Sequence, residues 1–226
     1  MVQPGPTRST GAGWTAPIGM VACTNRTIGQ GSQGIALPSI RATQAKSDLI
    51  AIDGMEPAVR DRVLARLASG IVRQIQEASR VDWIPMSVIL ELSRVIREET
   101  DEEGVRAWGK AATAISLDTP LLRPILQGAT AVFGSDPQRL YKALPTAWVA
   151  VFKDCGTLVI EGGEEGCIRI AVRDMPESVR DRDFLLACAG GFEVVLEQCR
   201  VEGRCDPENA QRAEGPRFVV RWRPRA

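Results

Sequence analysis

The stretch DPQRLYKALPTAWVAVFKDCGTLVIEGGEEGCIRIAV, residues 136–172, is the part of the sequence that decides the fold. Up to Phe152 its apolar residues recur at the spacing of a helix, and from Gly156 onward they alternate as in a strand. The change of period falls next to Cys155. The sequence therefore predicts a joint at this point between a helical layer and a β-sheet.

Before the joint, apolar residues at spacings of three and four predict a layer of about five helices. The predicted helices span residues 57–78, 85–97, 103–116, 121–133 and 136–152. Gly70 is a candidate break in the first helix. Pro145 is expected to kink or divide the last one, because proline removes a helical hydrogen bond. Residues 49–52 form a short apolar segment before the first helix.

After the joint, period-two alternation predicts a small antiparallel sheet. Residues 157–160 and 168–172 form a hairpin with one buried face, and residues 217–223 form a returning strand. A helix whose apolar positions begin at Phe184 separates them. Residues 197–201 either add a strand or continue that helix. Helices that are segregated from a small antiparallel sheet define an α+β fold.

Residues 1–46 are rich in Gly, Ser, Thr, Pro and Gln and show no period, which predicts a flexible arm joined to a single α+β domain over residues 47–226. The arm contains GQGSQG at residues 29–34, which has the spacing of a dinucleotide-binding loop. No strand precedes these glycines, and Pro38 interrupts the segment where the helix of such a loop would begin, so we favour a flexible linker. The sequence leaves open whether Met1 or Met20 is the true start.

The charge balance argues against polyanionic partners. Lys and Arg total 28, Asp and Glu also total 28, and the formal net charge is +0. No global field therefore favours nucleic acid or an anionic membrane. The sequence has no apolar run long enough to cross a membrane and no apolar core of a signal peptide near its start. We expect a cytoplasmic protein without nucleic-acid or membrane partners.

The chain contains no histidine. This excludes Ser-His and Cys-His nucleophile pairs, the usual general base near neutral pH, and axial histidine ligation of haem. We therefore predict a protein that is not an enzyme and carries no cofactor.

The six cysteines contain no C-x-x-C pair, so a zinc ribbon or a thioredoxin-type site is not expected. They are Cys23, Cys155, Cys167, Cys188, Cys199 and Cys205. In a reducing compartment such residues are most often small buried apolar side chains.

Five short motifs carry a family resemblance. They are Trp83-x-Pro85, Ala107-x-Gly109, Leu144-Pro145-x-x-Trp148, Cys155-Gly156 and the closing FVVRW at residues 218–222. Over about residues 48–223 the chain resembles a family of uncharacterised, largely myxobacterial proteins. More distantly, it is similar to the four-vinyl-reductase-type and haem-NO-binding-type small-ligand domains. The resemblance implies a helical layer over an antiparallel sheet, frequent dimerisation, and a pocket that in some relatives holds a hydrophobic molecule.

The departures from that family limit what the resemblance implies. Haem-binding relatives need a proximal histidine, so haem sensing by that chemistry is not expected here. Some phenol-sensing relatives bind zinc through cysteines and a glutamate near the C-terminal end. The comparable region here contains Cys188, Glu197, Cys199 and Cys205 at shorter spacings, and we favour plain thiols over a metal site.

Two functions stay open. The first is a non-catalytic binding or sensing module for a small hydrophobic ligand or signalling partner. Its candidate pocket residues are Trp108, Phe133, Tyr141, Trp148 and Phe152. A void of roughly several hundred cubic ångströms beside these aromatic side chains would favour this function.

The alternative is a protein-interaction or homodimerisation module without a small-molecule ligand. The aromatic residues would then be core, and a helical face would carry the dimer contact. The arm or a stripe of arginines would contact a further partner. The stripe consists of Arg169, Arg173, Arg221 and Arg223.

Overall fold

Nine α-helices and two antiparallel sheets build the part of the chain that the structure, a computed structural model, describes: residues 37–208 and 214–223. The helices are α1 (Ala42–Asp53), α2 (Pro57–Arg66), α3 (Ser69–Glu77), α4 (Met86–Glu99), α5 (Glu102–Leu117), α6 (Arg123–Phe133), α7 (Pro137–Leu140), α8 (Leu144–Val151) and α9 (Arg182–Gln198). The strands are β1 (Ser39–Arg41), β2 (Trp83–Pro85), β3 (Phe152–Lys153), β4 (Thr157–Glu164), β5 (Cys167–Arg173), β6 (Gly203–Glu208) and β7 (Arg217–Trp222). The α+β prediction is confirmed.

The predicted helices are present, with different breaks. The first is divided into α2 and α3 at Leu67 and Ala68, which have extended backbones, whereas Gly70 lies inside α3. The fifth is divided into α7, a 3₁₀ turn at Tyr141–Ala143, and α8. Pro145 lies in the first turn of α8, where a missing N–H leaves no helical hydrogen bond unmade.

The predicted sheet is four-stranded, in the order β4-β5-β7-β6, and all of its pairings are antiparallel. Its inner face is buried under α9, where the rings of Phe192 and Phe218 meet edge to face with centroids 5.0 Å apart. Helix α9 ends at Gln198, residues 199–201 are neither helix nor strand, and β6 begins at Gly203, so the strand predicted near residues 197–201 is absent and the helix continues only to Gln198.

A second sheet, in the order β2-β1-β3, was not predicted. Its central residue Ile40 pairs with Ile84 on one side and Phe152 on the other, and it is 1% exposed. This corrects the predicted arm, because residues 39–46 belong to β1 and α1. The rest of that arm, with Cys23, Met20 and the glycine-rich stretch, lies outside the described residues.

The joint next to Cys155 has a geometry that requires glycine. Gly156 has φ +83°, and a Cβ there would lie 2.5 Å from the carbonyl oxygen of Arg173. The indole of Trp148 donates a hydrogen bond to the carbonyl of Gly156 over 3.1 Å. The joint thus fixes Trp148, and with it α8, against the start of the four-stranded sheet.

Helices α5 and α9 form the closest helix contact in the described structure. A Cβ at Gly109 would collide with the backbone of Ala187, and one at Gly190 would collide with the backbone of Arg106. On the other side of α5, the indole of Trp108 donates to the carbonyl of Asp48 in α1 over 2.8 Å. Helix α5 is therefore held between α1 and α9. Among the described helices, none has the length and apolarity needed to cross a membrane.

Candidate functional site

A cavity of about 110 Å³ lies between α1, α5, α8, α9 and the start of the four-stranded sheet. Aromatic rings from four elements form much of its wall: Trp108 in α5, Trp148 in α8, Phe152 in β3, and Phe184 and Phe192 in α9. The rings of Phe152 and Trp148 have centroids 4.3 Å apart, and Phe152 also meets Phe184 at 5.8 Å. The wall is consequently apolar and well packed.

Helix α1 adds polar groups to this wall through Gln44 and Asp48. The Nε2 of Gln44 donates to Oδ1 of Asp48 over 2.9 Å. Asp48 is 5% exposed, and no described Lys or Arg pairs with its carboxyl group. Burial raises the pKa of Asp48 to about 7, and the hydrogen bond from Gln44 lowers it by less.

Cys188 lines the cavity from α9. Burial raises the pKa of its thiol well above the ordinary value, and the charges of Cys155 and Asp48 raise it further. A thiol in such surroundings stays protonated and is a poor nucleophile and a poor metal ligand. Of the two ionisable side chains described in the wall, Asp48 is therefore the better candidate to exchange a hydrogen bond with a small molecule.

The structure brings together three of the five predicted pocket residues, Trp108, Trp148 and Phe152. Tyr141 is fully buried elsewhere: its hydroxyl donates to the carbonyl of Phe192 over 2.8 Å. Phe133 ends α6 and packs against a separate small apolar cluster. Neither of these two residues lines the cavity.

The polar residues of the wall were missed from the sequence. Gln44 and Asp48 lie in or beside the stretch that composition assigned to a flexible arm. A signal was present, since Ala42, Ala45 and Ile52 follow a helical spacing and all are buried. The polar and small residues around them make this apolar stripe difficult to recognise from the sequence.

A smaller apolar cavity of about 50 Å³ lies under α6. It shares Leu122, Leu144 and Ala147 with the larger one, so these side chains stand between the two. None of the described residues in its wall is ionisable.

The four C-terminal residues considered for zinc do not come together. Cys188 lines the cavity, Cys199 and Cys205 are buried in different apolar clusters, and Glu197 pairs with Lys110 over 2.7 Å. Within residues 37–208 and 214–223 no group of three or more Cys, Asp or Glu side chains could hold a metal ion.

The arginine stripe lies on the outer face of the four-stranded sheet. Arg169 and Arg173 on β5 and Arg221 on β7 are exposed, and Arg223 follows directly after β7. This face also carries carboxylates: Asp206 approaches Arg221 at 3.9 Å. The face thus has both signs of charge, and a partner surface there stays a prediction.

A second buried carboxylate, Glu193, has a cationic partner. Its Oε1 accepts from Nη1 of Arg106 over 2.9 Å and from the backbone N–H of Cys205 over 3.0 Å. Arg106 also donates to the carbonyl of Cys205 and, over 3.4 Å, to Asp206. This ion pair ties α5, α9 and β6 together and lies outside the cavity wall.

Comparison with known proteins places the fold. Neither a family model nor a curated protein matches the chain. Among solved structures, an H-NOX protein from K. algicida in the Fe(II) unliganded state has a TM-score of 0.56 at 10% identity, covering 82% of this chain and 97% of that chain. An H-NOX protein from S. oneidensis in the Fe(II)NO ligation state has a TM-score of 0.52 at 8% identity, covering 81% and 99%.

A third structure, from work on modulating haem redox potential through protein-induced porphyrin distortion, has a TM-score of 0.51 at 10% identity and covers 80% and 98%. At these identities the likeness shows the fold alone. The described chain therefore has an H-NOX-like α+β architecture, in agreement with the resemblance to haem-NO-binding-type domains drawn from the sequence motifs.

Proposed function

We propose that this protein is a non-catalytic binding or sensing module for a small hydrophobic molecule. The observation that carries the proposal is the cavity of about 110 Å³ between α1, α5, α8 and α9. Three aromatic residues expected from the sequence to line a pocket, Trp108, Trp148 and Phe152, line this one. A ligand there would contact four helices at once, so its binding would stabilise the arrangement of these helices that it fits best.

The size of the cavity limits the ligand. It is smaller than the several hundred cubic ångströms expected from the sequence. An engineered apolar cavity of about 150 Å³ binds benzene or xenon. A ligand with roughly one six-membered ring is therefore expected.

Haem is the group that the structural neighbours raise, and the residues of this chain do not fit it. The chain has no histidine, and the thiol that lines the cavity, Cys188, has a pKa raised by burial, which disfavours the thiolate that haem ligation needs. Drug-sized ligands take pockets of roughly 300–1,000 Å³, and haem belongs at the large end of that range. We therefore assign haem no role in the proposed function.

The test is the binding of toluene and benzyl alcohol, followed as the rise of the midpoint of thermal unfolding with ligand concentration. A molecule that binds the folded state alone raises the midpoint as its concentration exceeds Kd. Ala147→Leu should abolish the rise, because the larger side chain occupies the cavity that Ala147 lines. Thr146→Leu adds the same side chain at an exposed position of the same helix and should leave the rise intact.

Two results would overturn the proposal. One is a wild-type midpoint that neither compound shifts at saturating concentration. The other is an equal shift in wild type and Ala147→Leu, which would place the binding elsewhere on the protein.

A further inference from the structure

We propose, resting on the proposed function, that the ligand class is a small hydrophobic amine, with its ammonium group against the Asp48 carboxylate and its apolar body against the aromatic wall. The feature that points to this class is the juxtaposition of a buried carboxyl group and several aromatic rings in one cavity of about 110 Å³.

Among the residues that the structure describes, no cationic side chain pairs with the buried carboxyl group of Asp48. Asp48 is 5% exposed, and its side chain accepts one hydrogen bond, from the neutral amide of Gln44. Buried carboxylates are normally paired with a cation or bound to a metal, because desolvation of a lone charge is costly. No described Lys or Arg fills that position, so a cationic ligand would complete it.

The aromatic residues of the cavity wall also favour a positively charged ligand. Trp108 and Trp148 are 3% and 4% exposed, and with Phe184 they line the cavity that Asp48 also lines. The faces of aromatic rings attract cations, and the attraction is stronger where water is excluded. An alcohol of the same shape could give Asp48 a hydrogen bond, but not the charge that makes such a bond about twice as strong.

The pH dependence of amine binding is expected to come from Asp48. Among the described residues, Asp48 and Cys188 are the ionisable ones in the cavity wall, and the wall residues contributed by α4, α5, α8 and the strands are not ionisable. Burial raises the pKa of Asp48 to about 7 and keeps Cys188 a neutral thiol at that pH. Below about pH 7, Asp48 must therefore lose a proton before it can pair with an ammonium group, so amine affinity should fall as the pH is lowered.

The experiment is isothermal titration calorimetry with benzylamine, benzyl alcohol and toluene between about pH 5.5 and about pH 8.5. Near pH 8, benzylamine should bind at least about tenfold more tightly than benzyl alcohol. The advantage should shrink by about tenfold per pH unit below pH 7, with about one proton released per benzylamine bound. Titrations in buffers of different ionisation enthalpy measure that proton.

Two variants locate the effect. Asp48→Asn should lose the preference for benzylamine and its pH dependence while still binding toluene. Asp53→Asn removes an exposed carboxylate at the end of the same helix and should keep both. If Asp48→Asn fails to fold, the pH profile and the proton count of the wild type decide the matter.

The outcomes separate this inference from the function on which it rests. Toluene and benzyl alcohol binding with benzylamine no tighter, or without proton release, overturns the amine assignment and leaves the binding module standing. Failure of all three compounds to bind overturns both. Benzylamine binding equally well to Asp48→Asn and to wild type overturns the role of Asp48.

Discussion

Two buried carboxylates in this protein have nearly the same exposure and opposite surroundings. Glu193 is 7% exposed and Asp48 is 5% exposed. Glu193 accepts hydrogen bonds from the guanidinium of Arg106 and from a backbone N–H. Asp48 accepts one from the neutral side chain of Gln44 and lies beside a cavity. Among the described residues, Glu193 has a cationic partner and Asp48 has none.

This contrast separates the structural role of Glu193 from the binding role that we propose for Asp48. Arg106 holds Glu193 where α5, α9 and β6 meet, and the oxygens that accept its hydrogen bonds belong to the protein. Asp48 belongs to α1, where its backbone carbonyl accepts a hydrogen bond from the indole of Trp108 in α5, and it lines the cavity. Equal burial therefore does not imply equal function, and the partners of each carboxylate decide which role it has.

The largest expected effect on the free energy of unfolding is at Glu193. Glu193→Ala leaves the buried guanidinium of Arg106 without its main partner, which should lower the free energy of unfolding by about 3–5 kcal/mol. Urea denaturation measures it. Glu197→Ala, one turn further along α9, removes a half-exposed partner of Lys110 and should cost no more than about 1 kcal/mol. Equal costs for the two variants would contradict the structural role.

The next effect concerns Asp48, whose contribution to the free energy of unfolding is expected to depend on pH. The folded-state pKa of Asp48, raised to about 7 from 3.8, means that the folded protein holds a proton that the unfolded chain loses above about pH 4. Its contribution to the free energy of unfolding therefore falls as pH rises from about 4 to about 7. The full loss is of the order of 4 kcal/mol.

Asp48→Asn should remove that dependence. The difference in unfolding free energy between Asp48→Asn and wild type should grow in favour of the variant from about pH 4 to about pH 8. Chemical denaturation at a series of pH values measures it, and Asp53→Asn is the control on the same helix. A difference that stays constant with pH would show that Asp48 titrates normally and that the contrast with Glu193 is wrong.

A smaller effect on the free energy of unfolding is expected at the contact between α5 and α9, because these helices carry residues of both the cavity wall and the Glu193 site. Gly190→Ala introduces a Cβ against the backbone of Arg106, so α5 and α9 must move apart at a cost of about 1–3 kcal/mol. Gly128→Ala, in the interior of α6 with open space around the new atom, should instead gain about 0.5–1 kcal/mol. Thermal unfolding compares them, and a neutral Gly190→Ala would mean that the contact is loose.

The sequence was informative wherever the structure is local. Helices α4 and α5 and strands β5 and β7 carry their own periods, so their positions could be predicted from neighbouring residues. The β2-β1-β3 sheet could not, because strands of two or three residues have no period and Ile40 pairs with residues far away along the chain. Because β1 could not be recognised from the sequence, the start of α1 directly after it could not be recognised either.

The candidate site divides in the same way. Trp108, Trp148 and Phe152 could be proposed from the sequence because large aromatic side chains at helical spacing pack inside a domain. Asp48 could not, because desolvation depends on which elements cover a residue, and no local pattern records it. For the same reason Tyr141 was placed in the pocket, although it is held in the core by the carbonyl of Phe192.

The most direct test of the contrast between the two carboxylates is a crystal structure of the protein grown with benzylamine near pH 8. We expect density for the ring between Trp108 and Phe184, with the amine nitrogen about 2.7–3.0 Å from a carboxyl oxygen of Asp48. Density in the smaller cavity under α6, on the surface or beside Glu193, with the larger cavity empty, would contradict it.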